Sequence, residues 1–184
     1  MKTCLLIIDQ QRGNRELDRL YDDIQANQTI QAAVDLAQTK WFDQVYACGF
    51  INPPQSVWQE KMHWHGLSKE SSYLIDTEIQ RIADQEFYHS SYFPITKELS
   101  QFLEWKNMER VLVCGMETDC CVLFGACQLF EMGYDVAVAG YACASSTGLK
   151  SHQAGLTSIS HRLPKDALLM DQKEVEKWIQ KEKK

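Results

Sequence analysis

Three observations predict an α/β fold, a three-layer α/β/α sandwich on a mostly parallel, Rossmann-like central sheet. Apolar runs of strand length recur along the chain, at Thr3 to Ile8, Gln44 to Phe50, Val111 to Cys114 and Asp135 to Gly140. The first is continuous rather than alternating, the pattern of a strand buried on both faces. Segments of helical periodicity lie between such runs, and strand–helix–strand units make right-handed parallel crossovers. At 184 residues, 45% hydrophobic and 24% charged, the chain carries one substantial core, so residues 1–184 are read as a single domain.

The opening strand ends at Asp9, which places this carboxylate at the carboxyl edge of the sheet, where open α/β sheets bind ligands. Asp9 is therefore a candidate acid or base; the plainer role is a local turn cap or a partner for Arg12. Ile30, Ala33, Val34 and Ala37 mark a helix over Gln25 to Lys40. After the Gln44 strand, Asn52-Pro53-Pro54 breaks regular structure, and Ser56 to Gly66, with two tryptophans and two histidines, reads as an insertion or lid near the site. His63 and His65 alternate as metal ligands on an extended segment can, but no Asp or Cys stands close by to complete a set. Glu86 to Phe93 and Ile95 to Trp105 give the next strand and helix.

The chemistry concentrates after Arg110. Val111 to Cys114 is a short strand, Gly115 can break its direction, and Thr118 or Asp119 can cap a helix whose first turn holds Cys120 and Cys121. A thiolate at the positive end of a helix is favoured, and the orphan backbone N–H groups there can hold an oxyanion. Val122, Ala126, Leu129 and Phe130 continue the helix to Gly133. A strand over Asp135 to Gly140, a helix over Ser151 to Arg162, a short strand over Ala167 to Met170 and a charged helix over Glu174 to Lys183 close the chain. Cys4, Cys48, Cys114, Cys127 and Cys143 lie in apolar stretches and read as small core residues.

Net charge is −6 with a pI near 5.4 and no basic patch, which disfavours a nucleic-acid partner. No apolar run approaches the roughly 20 residues a bilayer span needs. Seven cysteines, an odd count with two adjacent and no signal peptide ahead of them, do not resemble a secreted disulfide framework, so the cytoplasm is the expected compartment.

Gly115-Met-Glu-Thr-Asp-Cys-Cys-Val122 resembles the nucleophile motif of the isochorismatase-like cysteine hydrolases, in which a Gly and a Thr precede Cys-Val. Leu5-Leu-Ile-Ile-Asp9-Gln-Gln11 looks like that family's first strand with its catalytic Asp, and Gly133 to Ala139 with Ala142-Cys-Ala-Ser resembles the strand after the nucleophile helix. The resemblance implies a hydrolase of a C–N bond in a small amide, imide or carbamoyl compound. By it Cys121 is the nucleophile, with Cys120 the less favoured thiol, and Asp9 takes the thiol proton. The N–H groups of Glu117 and Cys121 form the oxyanion hole, next to a non-proline cis peptide at Met116-Glu117. No cofactor is implied, and family members are often homo-oligomers, for which Trp41, Trp58, Trp64 and Trp105 offer apolar contacts.

Three positions depart from the family pattern. Counting back from Ser90-Ser-Tyr-Phe93 puts the family's catalytic lysine at Phe87, and neither Gln85, Glu86 nor Tyr88 supplies a cation; Lys69 and Lys97 are the nearest lysines. Tyr141 stands where an Asp is usual. The Asp and His that hold a metal in nicotinamidases are matched by Phe50 and Asn52, so no metal is expected. A helix terminus alone favours a thiolate by about 0.3–1 kcal/mol, up to about 2, whereas one pKa unit is about 1.4 kcal/mol. Two readings follow: a hydrolase working through Cys121 and Asp9, or a weak or silent family member that binds a small ligand or serves as an oligomer subunit. A redox role for Cys120-Cys121 is least favoured, because a disulfide between adjacent residues is strained.

Overall fold

A computed structural model describes residues 1–16 and 23–181 of the chain. Six parallel strands form one sheet in the order β3-β2-β1-β4-β5-β6. They are β1 (Thr3–Ile8), β2 (Gln44–Phe50), β3 (Gln85–His89), β4 (Arg110–Met116), β5 (Asp135–Ala144) and β6 (Leu168–Leu169). Chain order runs outward from β1 to β3 on one side, then restarts at β4 and runs outward on the other. The gap between the carboxyl ends of β1 and β4 is therefore the topological switch point, the crevice that open α/β sheets use for ligands.

Every residue of β1 and of β4 is buried, as continuous apolar runs require when helices cover both faces of a sheet. The larger helices are α2 (Asp23–Gln38), α6 (Lys97–Trp105), α7 (Leu123–Glu131), α8 (Leu149–Arg162) and α9 (Gln172–Gln180). Thr96 and Asp171 start α6 and α9 by accepting the N–H of Leu99 and Glu174, which is why these helices begin near these residues rather than at the first apolar position. Short helices α3 (Val57–Met62), α4 (Glu70–Tyr73) and α5 (Thr77–Gln80) fill the β2–β3 connection, and α1 (Arg12–Glu16) follows β1.

Some boundaries differ from the sequence expectation. β3 stops at His89, where Ser90-Ser91 turns the chain. β5 continues through Gly140 to Ala144, because a register irregularity between Val113 and Gly115 lets pairing resume at Gly115 with Cys143. Phe130 is exposed at the end of α7 rather than part of its buried face. The last residues of the expected Glu174 to Lys183 helix lie outside the described residues.

Gly115 lies at φ +117°, and a Cβ there would sit 2.0 Å from the backbone oxygen of Ile8. Only glycine lets β4 turn this close to β1, and this turn delivers the chain into the crevice. At the other end of β4, Arg110 is 1% exposed. Its Nε donates to Asp135 at 2.9 Å, its Nη1 to the Ile179 carbonyl at 3.0 Å and its Nη2 to the Trp178 carbonyl, while the guanidinium lies 3.9 Å from the Trp178 ring centre. One buried cation thus fastens the end of α9 to the sheet.

Arg110→Ala leaves the buried Trp178 carbonyl and the part-buried Ile179 carbonyl without their donor, so unfolding by urea is expected to show a loss of about 1–3 kcal/mol. Arg110→Lys should recover only part of it, since an ammonium cannot reproduce the planar fork. An unchanged midpoint in both variants would show that the clamp contributes nothing.

Candidate active site

Asp9 follows the last residue of β1 in the left-handed region, at φ +51°, a conformation non-glycine residues adopt sparingly. Its N–H donates to the Cys48 carbonyl at 2.8 Å, and its own carbonyl accepts from the Asn14 side chain. The strand end is thus pinned, with the carboxylate turned across the sheet edge towards β3.

His89 meets it there, with Nε2 2.9 Å from Asp9 Oδ1. The other ring nitrogen, Nδ1, lies 2.8 Å from the Ser91 carbonyl. Both neighbours accept hydrogen bonds, so the ring satisfies both only as the imidazolium. Burial works against that charge, yet the Asp9 charge, its hydrogen bond and the Ser91 carbonyl together hold the His89 pKa above its ordinary value. Both residues are 5% exposed.

Cys121 comes from the other side of the crevice. After β4 the Met116-Glu117 peptide is cis, and Thr118–Val122 forms a π-turn in which the Val122 N–H reaches the Glu117 carbonyl at 3.1 Å. Such turns are rare and frequently sit at functional sites. Neither predicted cap acts as one: Thr118 hydrogen-bonds with His152 Nδ1 at 2.8 Å, and Asp119 accepts from Ser145 Oγ at 2.6 Å. The Glu117 carboxylate accepts the Ser146 N–H, tying the turn to the end of β5. From behind, α8 presses Gly155 so close that a Cβ there would lie 2.6 Å from the Asp119 nitrogen.

This turn buries Cys121 to 7% exposure and brings its sulfur, an Asp9 carboxylate oxygen and a His89 ring nitrogen within 4.8 Å of one another. The thiol is held well above its ordinary pKa by its hydrogen bond to the Cys120 sulfur 4.0 Å away, by burial and by the Asp9 charge. The crevice thus gathers a carboxyl group, an imidazole and a thiol at one point.

Phe87, where counting places the family lysine, lies elsewhere, in the core, edge-on to Tyr46 and Phe102. His89 is not among the residues the sequence motifs point to. It sits two residues beyond Phe87 on the same face of β3, and a histidine closing a strand just before Ser-Ser was the available signal. Lys69 and Lys97 are exposed, and neither lines the site cavity. Tyr141 is half-buried against the core. His63 and His65 are exposed and belong to no metal-competent cluster among the described residues. The Asn52 amide, matched to a nicotinamidase metal ligand, is spent on structure: it donates at 3.0 Å to the carbonyls of both Trp64 and Gly66 and accepts from Ser56 Oγ.

Those bonds shape the expected lid. Trp58, Leu67 and Trp64 pack on Phe50 over the strand ends, with Phe50–Trp58 ring centres 5.5 Å apart and Trp58–Tyr92 4.5 Å apart. Beneath them lies a cavity of about 410 Å³ with Asp9 and Cys121 in its wall, within the size range of small-molecule sites. The remaining wall combines the aromatic rings of Phe50, Trp58, Trp64 and Tyr92 with the carboxyl-bearing Glu117 and Asp119; among the described residues it includes no lysine or arginine.

The family model of the isochorismatase domain matches residues 3–170. Comparison with curated protein sequences gave no match. Among solved structures, an isochorismatase-like hydrolase from Alkaliphilus metalliredigens superposes with a TM-score of 0.74 at 14% identity, covering 97% of this chain and 100% of that one. Nicotinamidase PncA from Bacillus subtilis gives 0.70 at 18% identity, over 87% and 95% of the two chains. N-carbamoylsarcosine amidase from Thermoplasma acidophilum gives 0.67 at 15%, over 87% and 94%.

Because the folded protein raises the His89 pKa, the charged ring contributes stability that is complete below the unfolded value of 6.5 and is lost as pH rises through the folded value. The stability advantage of the wild type over His89→Gln should therefore be largest below pH 6.5 and shrink above it, read by urea unfolding at a series of pH values. A difference that stays flat with pH would show that the ring is neutral in the fold.

Proposed function

The chain belongs to the isochorismatase family, and from that premise we propose that it is a cysteine hydrolase cleaving the C–N bond of a small amide, imide or carbamoyl compound. Cys121 is the nucleophile, Asp9 the proton acceptor, and His89 the cation where the family has lysine. The observation that carries this reading is the meeting of the three side chains at one point, two of them, Asp9 and Cys121, in the wall of the cavity under the aromatic rings.

His89 answers the weakness of a bare Cys–Asp pair. Two unit charges about 4 Å apart interact by about 4 kcal/mol at an effective dielectric of 20, against at most about 2 kcal/mol from a helix terminus. An imidazolium therefore offsets the repulsion between Asp9 and a forming thiolate on its own scale, which the helix alone does not.

In the reaction, the thiol proton passes to Asp9 as sulfur attacks the carbonyl carbon. A C–S bond forms, and the carbonyl π pair moves onto oxygen, held by the N–H groups of Glu117 and Cys121. Collapse breaks the C–N bond, and the amine leaves with the proton from Asp9. Water then attacks the thioester, its proton passing through Asp9 back to sulfur as the acid departs. The aromatic wall favours a flat or ring-bearing substrate, and its acidic groups disfavour a substrate carboxylate.

Uncharged aromatic carboxamides should therefore be hydrolysed in preference to carbamoyl amino acids. Cys121→Ser should lower kcat by more than about 10³-fold, as loss of a nucleophile does. His89→Gln should lower it by about 10²–10³-fold, the scale of one lost electrostatic group. Iodoacetamide should label Cys121 in the wild type. Turnover that survives Cys121→Ser would end the mechanism, and ligand stabilisation with no turnover across the amide panel would leave a binding protein instead.

A further inference from the structure

The sequence offers no metal motif, yet the fold brings three chemically different donors to one point: a carboxylate, an imidazole and a thiol, on residues that are all buried. We propose that Asp9, His89 and Cys121 form a binding site for one zinc ion, its fourth coordination position open to the lidded cavity, and that the bound ion reversibly blocks the thiol. The blocking effect rests on the hydrolase reading above; the binding does not.

The donor set selects the metal. Thiolate and imidazole suit Zn²⁺, whereas Mg²⁺ and Ca²⁺ take oxygen ligands and would find a single carboxylate. Three protein ligands with a fourth position left to solvent is the usual form of an open zinc site. Geometry agrees: tetrahedral bonds of about 2.0–2.3 Å set ligand atoms about 3.3–3.7 Å apart. The Asp9–His89 pair now stands at 2.9 Å and the whole set within 4.8 Å, so side-chain adjustments of about an ångström complete the tetrahedron.

The outer contacts point the same way. A zinc-bound histidine uses its second nitrogen to hydrogen-bond a carbonyl or carboxylate, which fixes ring and tautomer. His89 does this through Nδ1 and the Ser91 carbonyl, leaving Nε2 directed at Asp9 and the site. The site is distinct from the nicotinamidase metal position, whose matched Asn52 is committed to the lid.

Calorimetry on the metal-free full chain should show one Zn²⁺ bound per chain. The affinity should fall as pH is lowered, because thiol and imidazole bind a metal only when deprotonated. Co²⁺, used as an optical probe in place of Zn²⁺, should give a thiolate-to-metal absorption band that Cys121→Ser abolishes. Cys121→Ser and His89→Gln should each weaken binding by more than about tenfold. If either variant misfolds by near-ultraviolet circular dichroism, the wild type alone decides: Zn²⁺ should slow iodoacetamide labelling of Cys121 by tenfold or more, and EDTA should restore it. Absent binding, an absorption band unchanged in Cys121→Ser, or labelling indifferent to Zn²⁺ would each overturn the site. Amide turnover by a protein that ignores Zn²⁺ sinks this inference and spares the hydrolase; Zn²⁺ binding by a protein without turnover does the reverse.

Discussion

The Asp9 carboxylate is buried where three strand ends converge, and a buried charge of that kind is stable only beside an opposite charge or full hydrogen bonding. His89 meets one oxygen of it with a hydrogen bond at 2.9 Å, and most of the architecture around the crevice serves the contact between them. β2 separates β1 from β3, so the two side chains must reach over its end, and the Phe50 ring lies edge-on to His89 at 5.5 Å. The register that sets Phe50 opposite His89, and Ile8 opposite Cys48, makes the reach a matter of one residue. Slipping either strand by one position would turn the charged group into the hydrophobic layers and leave its partner alone.

The nucleophile side is built differently, with little freedom left to its backbone. Gly115 lets β4 pass Ile8, the π-turn replaces an ordinary helix start, and the side chains of Glu117, Thr118 and Asp119 are each engaged with β5, the loop after it or α8. Thr118 and Asp119 read from sequence as helix caps. Their role in the fold is to tie the turn to its surroundings, which holds the sulfur against a carboxylate that repels its charged form.

Much of this was legible before any coordinates. β1 announced itself by an unbroken apolar run, and its terminal carboxylate followed from the logic of parallel sheets. The strand–glycine–cysteine passage after Arg110 identified the thiol and the family. His89 was hidden because its partner is 80 residues away. It shares a strand face with Phe87, two residues on, so one face of β3 carries both a core ring and the imidazole that meets Asp9. The carbonyls that Arg110 satisfies belong to a helix almost 70 residues later, which no local pattern encodes. The reach of β5 past Gly140 depended on a register irregularity in the neighbouring strand, and pairing of that kind has no signature in one strand's sequence.

The seam between α8 and the π-turn has a bearing on how this scaffold can be redesigned. At Gly155 backbone meets backbone without room for a single methyl group, so the wall behind the sulfur behaves as fixed masonry, and even alanine there would be felt as displacement of the thiol. The aromatic canopy opposite is held by a few bonds from one asparagine and by ring contacts that tolerate exchange. The cavity is therefore best reshaped by remodelling Trp58, Met62 and Trp64, while substitutions at position 155 should displace the turn that carries Cys121.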